Sequence, residues 1–107
     1  MWFKVIHVPK LKVDGMALFP FILVRKVYHK TNPLLLNHEK IHLVQQLELG
    51  IFPFYLLYLT SYLINLIRYK NHDRAYRNIA FEKEAYAMEA RLDYLKSRPF
   101  WAWRKFL

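Results

Sequence analysis

Asn32-Pro33-Leu34-Leu35-Leu36-Asn37-His38-Glu39-Lys40-Ile41-His42-Leu43-Val44-Gln45-Gln46-Leu47-Glu48-Leu49-Gly50 is the stretch from which the rest of the chain can be placed. Asparagine is a favoured helix N-cap, and proline fits the first helical position, where its missing N–H leaves no bond unmade. No Gly or Pro follows until Gly50, which supplies a stop. The pattern predicts a helix over 33–49, with Leu35, Leu36, Ile41, Leu43, Leu47 and Leu49 as its apolar positions. Within it, His38-Glu39-Lys40-Ile41-His42 matches H-E-x-x-H. Residues i and i+4 share one helical face, so both imidazoles can reach a single zinc ion from a rigid rod. Glu39 projects in a neighbouring direction, where it can accept a proton from a metal-bound water instead of binding the metal. The plainer alternative is two exposed histidines and a solvated glutamate on an amphipathic helix.

Upstream of this helix, residues 3–8 and 16–24 read as strands, and Asp14-Gly15 between them is a turn signal. Pro20 inside the second run implies an edge strand, a bulge, or two short pieces. An edge there could receive an extended peptide. Downstream, Pro53 begins a second helix, expected over 53–69. Residues 51–67 contain no charge, and the run ends at Arg68-Tyr69-Lys70. Its length lies at the lower edge of what crosses a bilayer, and its tyrosines make it wetter than a typical span. A buried core helix, an interfacial helix and a full span are the three alternatives, in that order. Asn71-His72-Asp73 reads as a turn with capping chemistry. A last helix is expected over 79–98, because Phe81, Ala85, Met88, Leu92 and Leu95 recur at steps of four and three before Pro99. The expected fold is mainly α (α+β), one domain over 1–107, with three principal helices and a small N-terminal β element at 3–24 that packs on the first long helix.

Composition narrows the chemistry. The 107 residues contain no cysteine, so disulfides and thiolate metal sites are excluded, and any metal is held by His and carboxylate. Seventeen Lys and Arg against eight Asp and Glu give a formal net charge of +9, which favours anionic partners. A membrane surface, reached through 51–67 and the 100–107 tail Phe100-Trp101-Ala102-Trp103-Arg104-Lys105-Phe106-Leu107, is one such partner; nucleic acid is disfavoured. The N-terminus lacks the charged and then apolar layout of a cleavable signal peptide, so the expected location is the cytoplasm or the cytoplasmic face of a membrane.

A catalytic zinc needs a third protein ligand. Glu48 follows His38 by ten residues, and straight helix would carry it about 15 Å along the axis, out of reach. Phe81-Glu82-Lys83-Glu84-Ala85-Tyr86-Ala87 on the last helix offers two carboxylates. Glu82 and Glu84 lie about 200° apart around a helix, so only one can face the ion, and periodicity does not choose between them. Together, HEKIH and FEKEAYA resemble the two-helix pattern of gluzincin-type zinc metallopeptidases, in particular small bacterial membrane-associated members. The resemblance rests on about a dozen residues. It implies Zn²⁺ held by His38, His42 and Glu82, and Glu39 as general base in peptide hydrolysis; spacing alone keeps Glu84 as the alternative ligand. It places Tyr86 where the family usually has Asp, a departure from the pattern. Tyr76, Arg77 and Tyr86 are further candidates for stabilising an oxyanion or supporting the ligands. His72 and Asp73 are adequately explained by their turn, and nothing in the sequence pairs His7 or His29 with the motif. Two other functions fit the same residues: a zinc-binding structural protein, and a basic membrane-surface or nucleic-acid module with an incidental HExxH.

Overall fold

Pro20 divides the predicted strand 16–24 into two pieces. The computed structural model describes residues 2–107 and contains β1 (Lys4–His7), β2 (Gly15–Leu18) and β3 (Phe21–Val24). Phe19 and Pro20, joined by a cis peptide, form the turn between β2 and β3, which pair antiparallel from Gly15↔Val24 to Leu18↔Phe21. β1 runs parallel to β3, so the order is β1-β3-β2, with β3 central. One face of β3 buries Ile22 and Val24 completely against Ala17 and Leu43, with Leu35 and Leu36 at the margin.

The helix α1 (Pro33–Leu49) supplies that cover. Its N-cap is Asn32, whose Oδ1 accepts from the amides of Leu34 and Leu35 at 3.1 and 3.2 Å. Such a cap stabilises a helix by about 1 kcal/mol. Gly50, at φ +89°, gives its amide to the Gln46 carbonyl and its carbonyl to the Phe54 amide, so one residue ends α1 and opens α2. Only glycine adopts that left-handed backbone without strain.

α2 spans Ile51–Tyr69 and starts two residues earlier than expected, because Pro53 is tolerated anywhere in a first turn that lacks partners for its amides. The core-helix alternative fails: only Phe54 and Asn65 of this helix are buried. The Asn71-His72-Asp73 turn is instead the start of a short helix, α3 (His72–Arg77), with the Asn71 side chain accepting the Arg74 amide at 3.0 Å. The capping chemistry was legible; the helix behind it was not.

The single helix expected over 79–98 is broken. α4 covers Ala80–Met88 and α5 covers Tyr94–Ser97, with turns between them. Asn37, on α1, accounts for the break. Its buried amide donates to the carbonyls of Met88, Glu89 and Arg91 at 3.4, 2.7 and 3.0 Å, taking up groups that a continuing helix would have bonded internally. The chain then folds back so that Tyr94 joins Ile41 and Ala85 in the core. The tail packs onto the domain: Ala102–Phe106 is a 3-10 turn, and Trp103 is buried edge-on against Phe81, with ring centroids 5.1 Å apart. The molecule is thus a mainly helical α+β fold, a three-stranded N-terminal sheet followed by several helices.

Candidate metal centre

α1 turns an unusual number of polar side chains inward: Asn37, His38, Glu39, His42, Gln45 and Gln46 are all buried. Burying a polar group without a partner costs about 1–3 kcal/mol, so each must be accounted for. Asn37 holds the end of α4. Gln46 ties α1 to β2, accepting the Phe19 amide at 2.8 Å and donating to the Ala17 carbonyl at 3.0 Å. Of the remaining four, His38, His42 and Gln45 reach α4, and Glu39 lines the cavities beside them.

His38 and His42 lie one turn apart, and both direct Nε2 at the same oxygen, Glu82 Oε1, at 3.0 and 3.1 Å. One donor atom from each of the three residues lies within 4.8 Å of the other two, and all three residues are buried. The other carboxylate oxygen, Oε2, accepts from the Tyr58 hydroxyl at 2.5 Å. Tetrahedral zinc with ligands at about 2.0–2.2 Å separates its donor atoms by roughly 3.3 Å, so this spacing fits an ion with small adjustments.

The hydrogen-bond network fixes the protonation of His42. Gln45 Nε2 donates to two acceptors, the Phe81 carbonyl at 3.1 Å and Glu84 Oε1 at 3.0 Å. The amide orientation follows, and Gln45 Oε1 faces His42 Nδ1 at 2.7 Å. Nδ1 therefore carries a proton, and in the neutral ring Nε2 presents a lone pair to a carboxylate oxygen. That contact is repulsive unless a positive charge sits between them. Without metal the charge is a proton: burial opposes it, but the Glu82 carboxylate outweighs burial and pushes His42 up to about 9. Burial likewise opposes ionisation of Glu82, yet the His42 charge and the bonds from both imidazoles hold it well below the usual carboxylate range. A cation at this point satisfies the same groups.

Glu39 is also buried, and burial is the main cause of its raised pKa. It stands at the junction of two cavities. One, of about 180 Å³, is walled mainly by apolar and aromatic groups including Phe54, Tyr55, Tyr58 and Met16. The other, of about 350 Å³, is more polar and includes His38, Tyr86 and Glu89. Gly15 and Tyr76 border both. A Cβ at Gly15 would meet Leu35 Cδ2 at 3.1 Å and Glu39 Oε2 at 3.3 Å, so glycine keeps this junction open.

The other candidates lie outside the three-residue group. Glu84 is wholly buried in a cluster centred on Arg98: Arg98 Nε donates to its Oε2 at 2.5 Å and Tyr94 to the same atom at 2.7 Å. Burial opposes its charge, but the Arg98 and Gln45 bonds prevail and lower its pKa. Glu48 takes the opposite edge of the Arg98 guanidinium, at 2.7 and 3.0 Å, and accepts the Trp101 amide at 2.6 Å. Tyr86 packs edge-on against His38, with centroids 4.6 Å apart. Arg77 lies outside both cavities; it pairs with Asp73 at 3.1 Å and stacks on Tyr86. His72 bonds the Tyr62 hydroxyl at 2.7 Å, and His7 bonds the Arg25 carbonyl at 3.1 Å. His29 is buried, with its Nδ1 lacking a partner among the described residues.

Sequence reasoning missed Tyr58 and Gln45. Gln45 had a usable signal, since it lies three residues after His42 and so one turn further along the same face. Tyr58 had none beyond its place among four tyrosines of one helix. Compared with known proteins, the chain matches no family model, no curated protein and no solved structure.

Proposed function

We propose that the chain is a zinc-dependent peptide hydrolase, with His38, His42 and Glu82 as metal ligands and Glu39 as general base. The observation that carries this proposal is the coincidence of a buried His-His-Glu group with a free carboxylate from the same helix at the mouth of two cavities. A structural metal site has no use for such a base. Bound zinc would supply Lewis acidity toward a water molecule and a substrate carbonyl. Glu39, whose pKa burial raises, would take a proton from the attacking water and return it to the leaving amine. Tyr76, at the border of both cavities, and Tyr86, beside His38, are positioned as hydroxyl donors to developing negative charge.

The open edge of β2 supports a peptide as substrate. Asp14 and Met16 bond toward β3, so the alternation of an antiparallel pair turns the backbone groups of Gly15 and Ala17 outward. The Ala17 carbonyl is taken by Gln46 and Tyr55, which leaves both polar groups of Gly15 and the Ala17 amide facing the cleft. An extended peptide can pair with that edge and present its carbonyl beside Glu39.

The test is cleavage of a mixed library of quenched fluorescent peptides by the zinc-loaded protein, beside Glu39→Gln. Activity in the parent, lowered by about 10²–10⁴-fold in Glu39→Gln with zinc content unchanged, is the expected outcome. Cleavage that persists in the variant would rule out Glu39 as the base. Zinc binding with no cleavage of any peptide by the parent would favour a non-catalytic metal site.

A further inference from the structure

α2 is built inside out. Its protein-facing side carries Tyr55, Tyr58, Ser61, Tyr62, Asn65 and Tyr69, most of the polar groups the helix has. Its outward side carries Phe52, Leu56, Leu59, Leu63 and Ile67, at steps of four, three, four and four, with Leu57 and Ile64 beside them. Phe52 and Ile67, near the two ends, are each 78% exposed. An ordinary surface helix shows the reverse polarity. The outward stripe runs about 22 Å along the axis, well beyond a scattered exposed leucine, and stripes of this size mark an interaction surface.

Charge identifies what it meets. Four of the eight carboxylates, Glu39, Glu48, Glu82 and Glu84, have buried side chains. Two of the others, Asp14 and Asp73, pair with arginines. Of the 17 cationic side chains only Arg98 is enclosed, so the outer surface carries 16 cations against four carboxylates and is more positive than the net charge of +9. Cations also border the stripe itself. Ile64, Arg68, Lys83, Phe106 and the exposed Leu107 surround one shallow cavity of about 210 Å³, which brings the C-terminal end alongside α2.

We propose that α2 lies flat on an anionic lipid bilayer, with its outward stripe in the boundary between head groups and acyl chains and with Arg68 and Lys83 against the phosphates. Exposed apolar area bordered by positive charge is what such a surface attracts. A second copy of the chain fits less well, because like-charged rims would be pressed together. A full span is also disfavoured: α3, with exposed Asp73, Arg74 and Arg77, packs along α2 and would be drawn into hydrocarbon. Lying flat, α2 separates the bilayer from the metal cleft by about one helix diameter, ~10 Å, since Tyr55 and Tyr58 on its other side line that cleft. The proposal does not depend on zinc binding or hydrolysis.

The experiment is co-sedimentation of the full chain with vesicles of phosphatidylcholine alone and of phosphatidylcholine with equal phosphatidylglycerol. It is paired with Leu59→Glu/Leu63→Glu and Arg68→Glu/Lys83→Glu variants and with sedimentation velocity in the absence of lipid. Far-UV circular dichroism checks that each variant is folded; both pairs are partly or fully exposed, so the fold is expected to survive. Binding to the anionic vesicles, weakened by salt and reduced about tenfold or more in each double variant, is the expected result. Equal binding by the folded leucine variant would overturn the proposal. So would absence of vesicle binding, whether the chain is then a monomer or a dimer that the leucine substitutions dissociate.

Discussion

Tyr58→Phe removes one hydroxyl from the wall of the metal centre and leaves the ring. That hydroxyl donates to Glu82 Oε2 at 2.5 Å, while Oε1 of the same carboxylate faces both histidines. The ring stays packed on Phe54 and Phe81, with centroids 5.8 and 6.5 Å away, so the fold is retained. A hydrogen bond to a charged acceptor contributes about 1.5–3 kcal/mol. Losing a group that orients a metal ligand lowers affinity about 10–100-fold, which corresponds to roughly 1.4–2.8 kcal/mol. The two scales agree, and they predict the same variant in two assays. In competition with a chromophoric chelator, the zinc dissociation constant of Tyr58→Phe should rise about 10–100-fold. In urea, the metal-free variant should lose about 1–3 kcal/mol, because Oε2 is left buried without a donor. Unchanged zinc affinity beside the expected loss of stability would mean that Tyr58 serves the fold and not the ligand. If neither quantity changed, the hydrogen bond would not be made in solution, and the account of Glu82 orientation would be refuted.

Three other outcomes are expected. The pH dependence should differ with and without metal. His42 holds its proton more tightly in the folded metal-free protein, up to about 9 from 6.5, so the stability this contributes is full below pH 6.5 and is lost as pH rises through about 9. Glu39, raised by burial, adds to the decline above 4.5, whereas the lowered Glu82 contributes stability above 4.5 that is lost only as pH falls below it. Zinc competes with that proton, so the extra stability it confers should grow over the same interval; melting curves with chelator or zinc that run parallel would contradict this. Arg98→Ala should destabilise the protein by about 3–5 kcal/mol in urea, because Glu48 and Glu84 are left buried and unpaired; a change under about 1 kcal/mol would refute the network. Gly15→Ala should keep zinc and lower hydrolysis about tenfold by crowding Glu39, and full activity would show that the junction tolerates a Cβ.

The parts of this fold that were legible in the sequence are those that local chemistry decides. Asn32-Pro33 and Gly50 bound α1 at the residues expected, because a cap, a first-turn proline and a left-handed glycine act within a few positions of themselves. Pro20 announced an interruption of the second strand for the same reason. The break after Met88 was not legible, since its cause is Asn37, 51 residues earlier in the chain. Nor was the orientation of α2: a run of Leu, Ile and Phe suggests a buried helix, whereas Tyr55 and Tyr58 turn inward to line the cavity beside Glu39 and Glu82. The choice between Glu82 and Glu84 also needed the tertiary structure. Helical spacing allows either to face α1, and the Arg98 guanidinium, 14 residues beyond Glu84, is what engages the second carboxylate.

The proposed hydrolysis has one requirement, that His38, His42 and Glu82 hold one metal ion. Its most direct test is elemental analysis of the dialysed protein after exposure to zinc, beside His42→Ala, Glu82→Gln and Glu84→Gln. Near-stoichiometric zinc in the parent and in Glu84→Gln, with loss in the other two, is the predicted result. Zinc retained by Glu82→Gln and lost from Glu84→Gln would move the third ligand into the Arg98 network and contradict the geometry. A parent chain that takes up no zinc would contradict the metal centre itself.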